Sequence, residues 1–140
     1  MICLLLIPDA STGEAFRHLD YLVVDDIPAV RNVLIKMLRG LGVKGRIDSA
    51  RDGVEAWEMV QDYNYDIIIC DVCMPLMNGL ELKKLMRASP RFREMPFLMV
   101  TGEISEELLA LAVEGEFDGY LLKPFHSASL EKWLLKLGSP

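Results

Sequence analysis

Five parallel strands in the order 2-1-3-4-5, with helices packed on both faces, make up the fold that the sequence predicts: an α/β, doubly wound open sheet. Three observations lead there. Short apolar, β-branched runs alternate along the 140 residues with segments whose apolar residues recur at helical spacing. Two of those runs, residues 65–70 and 96–100, are apolar almost throughout, as expected of strands buried on both faces. The connections are short, and strands alternating with helices through short loops call for right-handed crossovers and a parallel sheet.

The elements follow in chain order. Residues 1–18 read as an extension ahead of a domain spanning 19–138; Ser11 and Glu14 within it fit a capping box and a short helix. Residues 19–24 are the first strand, which stops at Asp25-Asp26. Pro28 opens a helix to about Arg39, with Val30, Val33, Leu34, Met37 and Leu38 on one side. Gly40, Gly42 and Gly45 end it and turn the chain into a weaker second strand at 45–50. Asp52-Gly53 starts a helix through Gln61, with Val54, Ala56, Trp57 and Val60 on its apolar side. The third strand, 65–70, ends at Asp71, and Pro75, Asn78 and Gly79 mark the turn beyond it. A third helix covers 80–88 and stops at Ser89-Pro90. The fourth strand, 96–100, leads into Thr101-Gly102. Ser105 is placed to cap a helix over 105–113, whose first turn carries Glu106 and Glu107. A short fifth strand, 119–122, runs into Lys123-Pro124. The last helix, 127–137, turns Leu130, Trp133, Leu134 and Leu137 inward, and Gly138 closes it.

Composition narrows the function classes. A net charge of −6 argues against general nucleic-acid binding and against adhesion to an anionic membrane. No apolar run approaches the ~20 residues that span a bilayer. The apolar start, residues 1–7, lacks a preceding basic residue and is cut by Pro8-Asp9, unlike a secretory signal. Cys3, Cys70 and Cys73 are odd in number and lack a metal-ligand pattern. Cys70 lies inside a strand, so Cys70-x-x-Cys73 does not open a helix as a thioredoxin-like motif must. A reducing, cytoplasmic location is expected.

The residues at the carboxyl ends of the strands carry the chemistry. The first strand supplies Asp25 and Asp26, the third Asp71, the fourth Thr101 and the fifth Lys123. In a parallel sheet these ends share one edge, where open α/β sheets build their sites. Three crowded carboxylates repel one another and raise their pKa values; a bound cation relieves this. Hard oxygen ligands with positions left for water and phosphate oxygens suit Mg2+. Lys123 is a point charge for an aspartate or a phosphate oxygen, and Thr101 offers a hydroxyl donor. Asp71 can then act as a nucleophile towards a phosphoryl group, giving an aspartyl phosphate.

Asp25-Asp26, Asp71-x-x-Met-Pro75, Thr101-Gly102 and Lys123-Pro124-Phe125, in this order and each ending a predicted strand, resemble the receiver domain of two-component response regulators. The likeness runs from about Leu19 to Leu137. Asp52-Gly-Val-Glu-Ala56, Asn78-Gly-Leu-Glu-Leu82, Leu98-Met-Val-Thr101 and Gly119-Tyr-Leu-Leu-Lys-Pro-Phe125 look most like the stand-alone chemotaxis regulators of the CheY type, whose three-layer sandwich is also that of flavodoxin. The resemblance implies that Asp71 is the phosphoacceptor. It implies that Asp26 and Asp71 bind Mg2+ directly, Asp25 through water, and Cys73 through its backbone carbonyl. Thr101 and Tyr120 would be the switch pair, Tyr120 swinging inward as Thr101 moves to the phosphoryl group. Lys123 would contact the phosphoryl oxygens, and the Lys123–Pro124 bond is expected to be cis. The implied partners are a sensor histidine kinase or a histidine phosphotransfer protein, and an output protein on the face of the predicted helix 105–113, the fifth strand and the last helix. The domain is expected to be a signalling phosphoacceptor that assists its own phosphorylation and dephosphorylation, not an enzyme with a substrate of its own.

Departures from the family are Cys73, where CheY has an amide side chain, the Glu116-Phe117 pair in place of a small Gly-Ala pair, and the first eighteen residues. The chain ends just past its last helix, which leaves no effector domain unless the receiver was cut from a transcription factor or a hybrid kinase. Three further readings compete. A haloacid-dehalogenase-like phosphatase wants Asp-x-Asp after the first strand and a cap domain. A flavodoxin-like carrier wants a phosphate loop where Asp25-Asp26 would repel one. A degenerate, protein-binding receiver would not need the intact set of five. His18 and His126 read as surface or cap residues, and Trp57 and Trp133 as core.

Overall fold

The computed structural model describes residues 15–102, 106, 110 and 118–138. It contains one sheet of five parallel strands, β1 (Tyr21–Val24), β2 (Ile47–Ala50), β3 (Ile67–Asp71), β4 (Phe97–Thr101) and β5 (Gly119–Leu122), in the order β2-β1-β3-β4-β5. Four helices are described: α1 (Pro28–Gly40), α2 (Gly53–Asp62), α3 (Gly79–Arg87) and α4 (Ser127–Leu137). The expected capping box at Ser11 and Glu14 and the Glu116-Phe117 pair lie outside the described residues. So does the expected helix 105–113, apart from Glu106 and Ala110, which are helical. No described helix is long and apolar enough to cross a membrane.

The period of two along each strand sorts the core into two layers. Tyr21, Val23, Ile67, Ile69, Leu98 and Val100 pack with Leu34 and Leu38 of α1 and Leu130 and Leu134 of α4. The alternate residues Leu22, Val24, Ile68, Cys70, Phe97 and Met99 pack with Ala56 and Val60 of α2 and Leu82 and Met86 of α3. Every residue of β1, β3 and β4 is buried, as their unbroken apolar runs require. Two of the described helices, α2 and α3, start at side-chain caps. Asp52 accepts from the Glu55 amide at 2.8 Å. Asn78 and Glu81 form a reciprocal capping box, with bonds of 2.9 and 3.0 Å.

Tertiary packing departs from the periodic pattern at several positions. Val33 and Val54, expected on apolar helix sides, are 45% and 40% exposed, because each lies beyond the stripe its helix turns to the sheet. Trp57 and Trp133 are half-buried rather than core. Trp57 meets Phe92 edge-on with ring centroids 5.6 Å apart, and Trp133 lies so close to Gly119 that a Cβ there would sit 2.6 Å from its ring. The described end of the expected extension, a turn of 3-10 helix at Ala15–His18, is part of the packed domain. Phe16 is buried in the core layer that α1 and α4 cover, its carbonyl accepts from the buried Tyr21 hydroxyl at 2.6 Å, and Arg17 Nε donates to the Leu41 carbonyl at 2.8 Å. A lone aromatic in a polar stretch has no periodicity to announce it. Truncating Phe16 to Ala is expected to cost about 3–5 kcal/mol in urea unfolding. A loss within about 0.5 kcal/mol would mark a surface residue instead.

Candidate functional site

The strand ends place the predicted side chains together. Asp25 follows β1 and is fully buried; its amide donates to the Ala50 carbonyl at 3.1 Å, continuing the sheet by one rung. Its Oδ1 accepts from the Ile27 amide at 2.9 Å, which turns the chain into α1. Asp26 is exposed beside it. Asp71 is the last residue of β3 and Thr101 the last of β4, each 5% exposed. Lys123 follows β5, its amide donating to the Thr101 carbonyl at 2.8 Å. Its Nζ lies 3.2 Å from Asp71 Oδ1 and 3.5 Å from Asp25 Oδ2. The Lys123–Pro124 bond is cis.

The electrostatics follow from this crowding. One carboxylate oxygen from each of Asp25, Asp26 and Asp71 falls within 4.8 Å of the others. Burial raises the Asp71 pKa, and the charge of Asp25 raises it further, against the opposing pull of Lys123. Burial acts to lower the Lys123 pKa, but the charges of Asp71 and Asp25 outweigh it and hold the ammonium protonated. The Lys123 ammonium thus pairs with two of the three carboxylates, those of Asp71 and Asp25. Convergent hard oxygens with unbalanced negative charge are the donor set that a small divalent cation such as Mg2+ satisfies, so these residues fit that ion.

The remaining predicted residues are placed differently. Cys73 is exposed two residues past Asp71, while Cys70 is buried inside β3, where burial pushes its thiol pKa well up; both are free thiols. Tyr120 is 37% exposed, its ring 6.3 Å from that of Trp133, so its side chain stands on the surface. His18 and His126 are exposed; His126 is the residue before α4 and makes no side-chain cap.

Two further residues shape the site: Gly79, which the sequence marked only as part of a turn, and Arg31, which no sequence pattern singled out. Gly79 donates to the Val72 carbonyl at 3.0 Å and packs so tightly that a Cβ would lie 2.5 Å from the Asp71 carbonyl. Only a residue without a side chain lets α3 start this near the end of β3. Arg31, in the first turns of α1, donates from Nη1 to the Asp25 carbonyl at 2.6 Å. The loop between β3 and α3 is itself bent sharply: Leu76 has φ +67° and is 81% exposed, and the Met77 amide donates back to Pro75 at 2.8 Å.

Residues 21–135 match the response regulator receiver domain family. The chain is similar to the chemotaxis protein CheY-3 of Vibrio cholerae, 33% identical over 121 residues that cover 86% of this chain and 92% of that protein. It is similar to the chemotaxis protein CheY of Pseudomonas aeruginosa, 34% identical over 116 residues, covering 83% and 93%. Among solved structures, it resembles the receiver domain of a sensor histidine kinase from Pseudomonas aeruginosa with a magnesium ion coordinated in the active site cleft. That likeness has a TM-score of 0.77 at 28% identity and covers 87% of this chain and 99% of that one.

Proposed function

Because this chain belongs to the receiver-domain family of two-component response regulators, we propose that Asp71 accepts a phosphoryl group from a phosphohistidine and that the aspartyl phosphate changes the affinity of the domain for an output partner. The observation that carries this reading is the buried Asp71 carboxylate, grouped with Asp25 and Asp26 and 3.2 Å from the Lys123 ammonium. Asp71 attacks the phosphorus as the bond from phosphorus to the donor nitrogen breaks, and the electron pair leaves with the imidazole. Lys123 contacts the equatorial oxygens, and the Thr101 hydroxyl donates to one of them. Asp26 and Asp71 would hold Mg2+ directly, Asp25 through water, and Cys73 through its carbonyl. The ion, when bound, offsets charge that develops on the phosphoryl oxygens.

Receiver domains are signalling domains, and this one assists its own phosphorylation and dephosphorylation rather than turning over a substrate of its own. The phosphoryl donor is a sensor histidine kinase or a histidine phosphotransfer protein in the cytoplasm. Thr101 and Tyr120 form the switch: the phosphoryl group draws Thr101 towards it, and the exposed Tyr120 ring moves inward. Contacts made in only one state bias the two-state element that the partner reads. The output face comprises residues 105–113, β5 and α4; the exposed apolar side chains of Tyr120, Leu122 and Leu135 support it, at 37%, 41% and 40%. The two chemotaxis relatives favour a chemotaxis-type pathway.

Incubation of the protein with Mg2+ and acetyl phosphate is expected to add one phosphoryl group, read as intact mass, and EDTA is expected to prevent it. No gain from a protein whose circular dichroism shows it folded would overturn the phosphoacceptor role and favour a receiver used only for protein contacts.

A further inference from the structure

We propose that Arg31 is a positioning residue for the metal-binding carboxylates, acting through the peptide plane that joins Asp25 to Asp26. This deepens the phosphoacceptor reading and rests on it for the identity of the ion. The Asp25 carbonyl that accepts from Arg31 Nη1 at 2.6 Å belongs to the peptide unit whose other end is the Asp26 amide. A peptide unit is planar, so holding its oxygen fixes the direction in which the chain enters Asp26. Asp26 is exposed and stands two residues beyond the end of β1, past the last rung that Asp25 adds to the sheet, where the strand no longer dictates its orientation.

The other polar groups of Asp25 are held by independent elements. Its amide is on the carbonyl of Ala50, the last residue of β2, one carboxylate oxygen is on the Ile27 amide, and the other faces Lys123. Arg31 supplies the fourth tie, from α1. That helix begins without a side-chain cap, since Ile27 stands at the cap position and Pro28 follows. The contact from Arg31 therefore fastens the helix start to the acidic turn as well. Arg31 is half-buried, and a charge-assisted bond of this length is among the stronger ones available to a main-chain oxygen.

Two effects of removing Arg31 oppose each other. Losing a positive charge near three carboxylates favours a cation, while losing the tie lets the Asp25–Asp26 peptide turn. The charge acts on the carboxylates through space from a half-buried side chain that solvent partly screens, whereas the tie acts directly on a ligand's backbone, so the tie dominates.

The test is titration of the metal-free full chain with MgCl2 by calorimetry, for the parent, Arg31→Met and Arg31→Lys, well below the melting temperature of each. Binding by the parent tests the phosphoacceptor reading; the differences among the three test Arg31. Arg31→Met is expected to weaken Mg2+ about tenfold, as the loss of a group hydrogen-bonded to a ligand does. Arg31→Lys, which keeps a donor and a charge, is expected to recover most of that affinity. A merely structural residue would lower the melting temperature in both variants without separating their affinities. Arg31→Met binding Mg2+ as tightly as the parent or tighter, or both variants weakened alike, would overturn the assignment.

Discussion

Asp71→Asn is expected to gain no phosphoryl group from acetyl phosphate and, without metal, to be at least as stable as the parent at neutral pH. The first half follows from chemistry, because an amide oxygen is not the nucleophile that a carboxylate is. The second follows from the charge balance. Burial first, and then Asp25, raise the Asp71 pKa above its ordinary value of 3.8 despite Lys123. The folded protein therefore holds that proton more tightly than the unfolded chain does. The stability associated with the protonated acid is fully present below pH 3.8 and is lost as pH rises through the folded pKa. At neutral pH the ionised Asp71 is a burden on the metal-free fold, which a neutral amide of the same shape lifts. Thermal melts from acid to neutral pH should show the variant gaining on the parent as pH rises. Added Mg2+ should raise the melting temperature of the parent more than that of the variant, since a ligand stabilises the state that binds it. A variant that melts below the parent at neutral pH without metal would mean that Lys123 outweighs the repulsion.

The second large effect concerns Lys123. Lys123→Ala is expected to slow phosphoryl gain by about 10²–10³-fold at saturating Mg2+, the range seen when one preorganised donor is removed from a developing oxyanion. Its Nζ is 3.2 Å from Asp71 Oδ1, within reach of a group bonded to that carboxylate. Removing the ammonium also takes away the charge that opposes the raised Asp71 pKa, so less of the nucleophile is ionised at a given pH. Mg2+ affinity should not fall with the rate, because a repelling cation has been removed from the cluster. Initial rates by intact mass, paired with Mg2+ titrations, separate the two. A rate within a few-fold of the parent, or a loss of rate matched by a loss of Mg2+ binding, would count against a direct role for Lys123.

Much of this molecule was legible in its sequence. Strands β1, β3 and β4 are buried on both faces and so carry no polar interruption, which made them visible as apolar runs. The caps Asp52 and Asn78 are local in the chain and act on amides three residues on, so their signals survive without tertiary context. Asp25, Asp71, Thr101 and Lys123 follow or end strands, and parallel register brings strand ends to one edge whatever the details of packing. Phe16, Arg31 and the outward placement of Tyr120, itself named as a switch residue, were illegible in different ways. Phe16 is held by residues far along the chain, including Leu34, Leu38 and Leu134. Arg31 acts through a main-chain oxygen, which carries no residue identity. The outward placement of Tyr120 depends on its neighbour Trp133 and on the edge position of β5.

By itself, then, the sequence determined the order of elements, the doubly wound topology and the set of residues that share the carboxyl edge, because periodicity, turn chemistry and crossover handedness are local or nearly local rules. Only the tertiary structure decided distances and directions. It placed the Lys123 ammonium between Asp71 and Asp25, seated Phe16 in the core, turned Val33 and Val54 outward, and tied Asp25 to α1 through Arg31. These depend on how helices settle on a twisted sheet, where a small rotation decides which side chains meet, and no local pattern encodes that rotation.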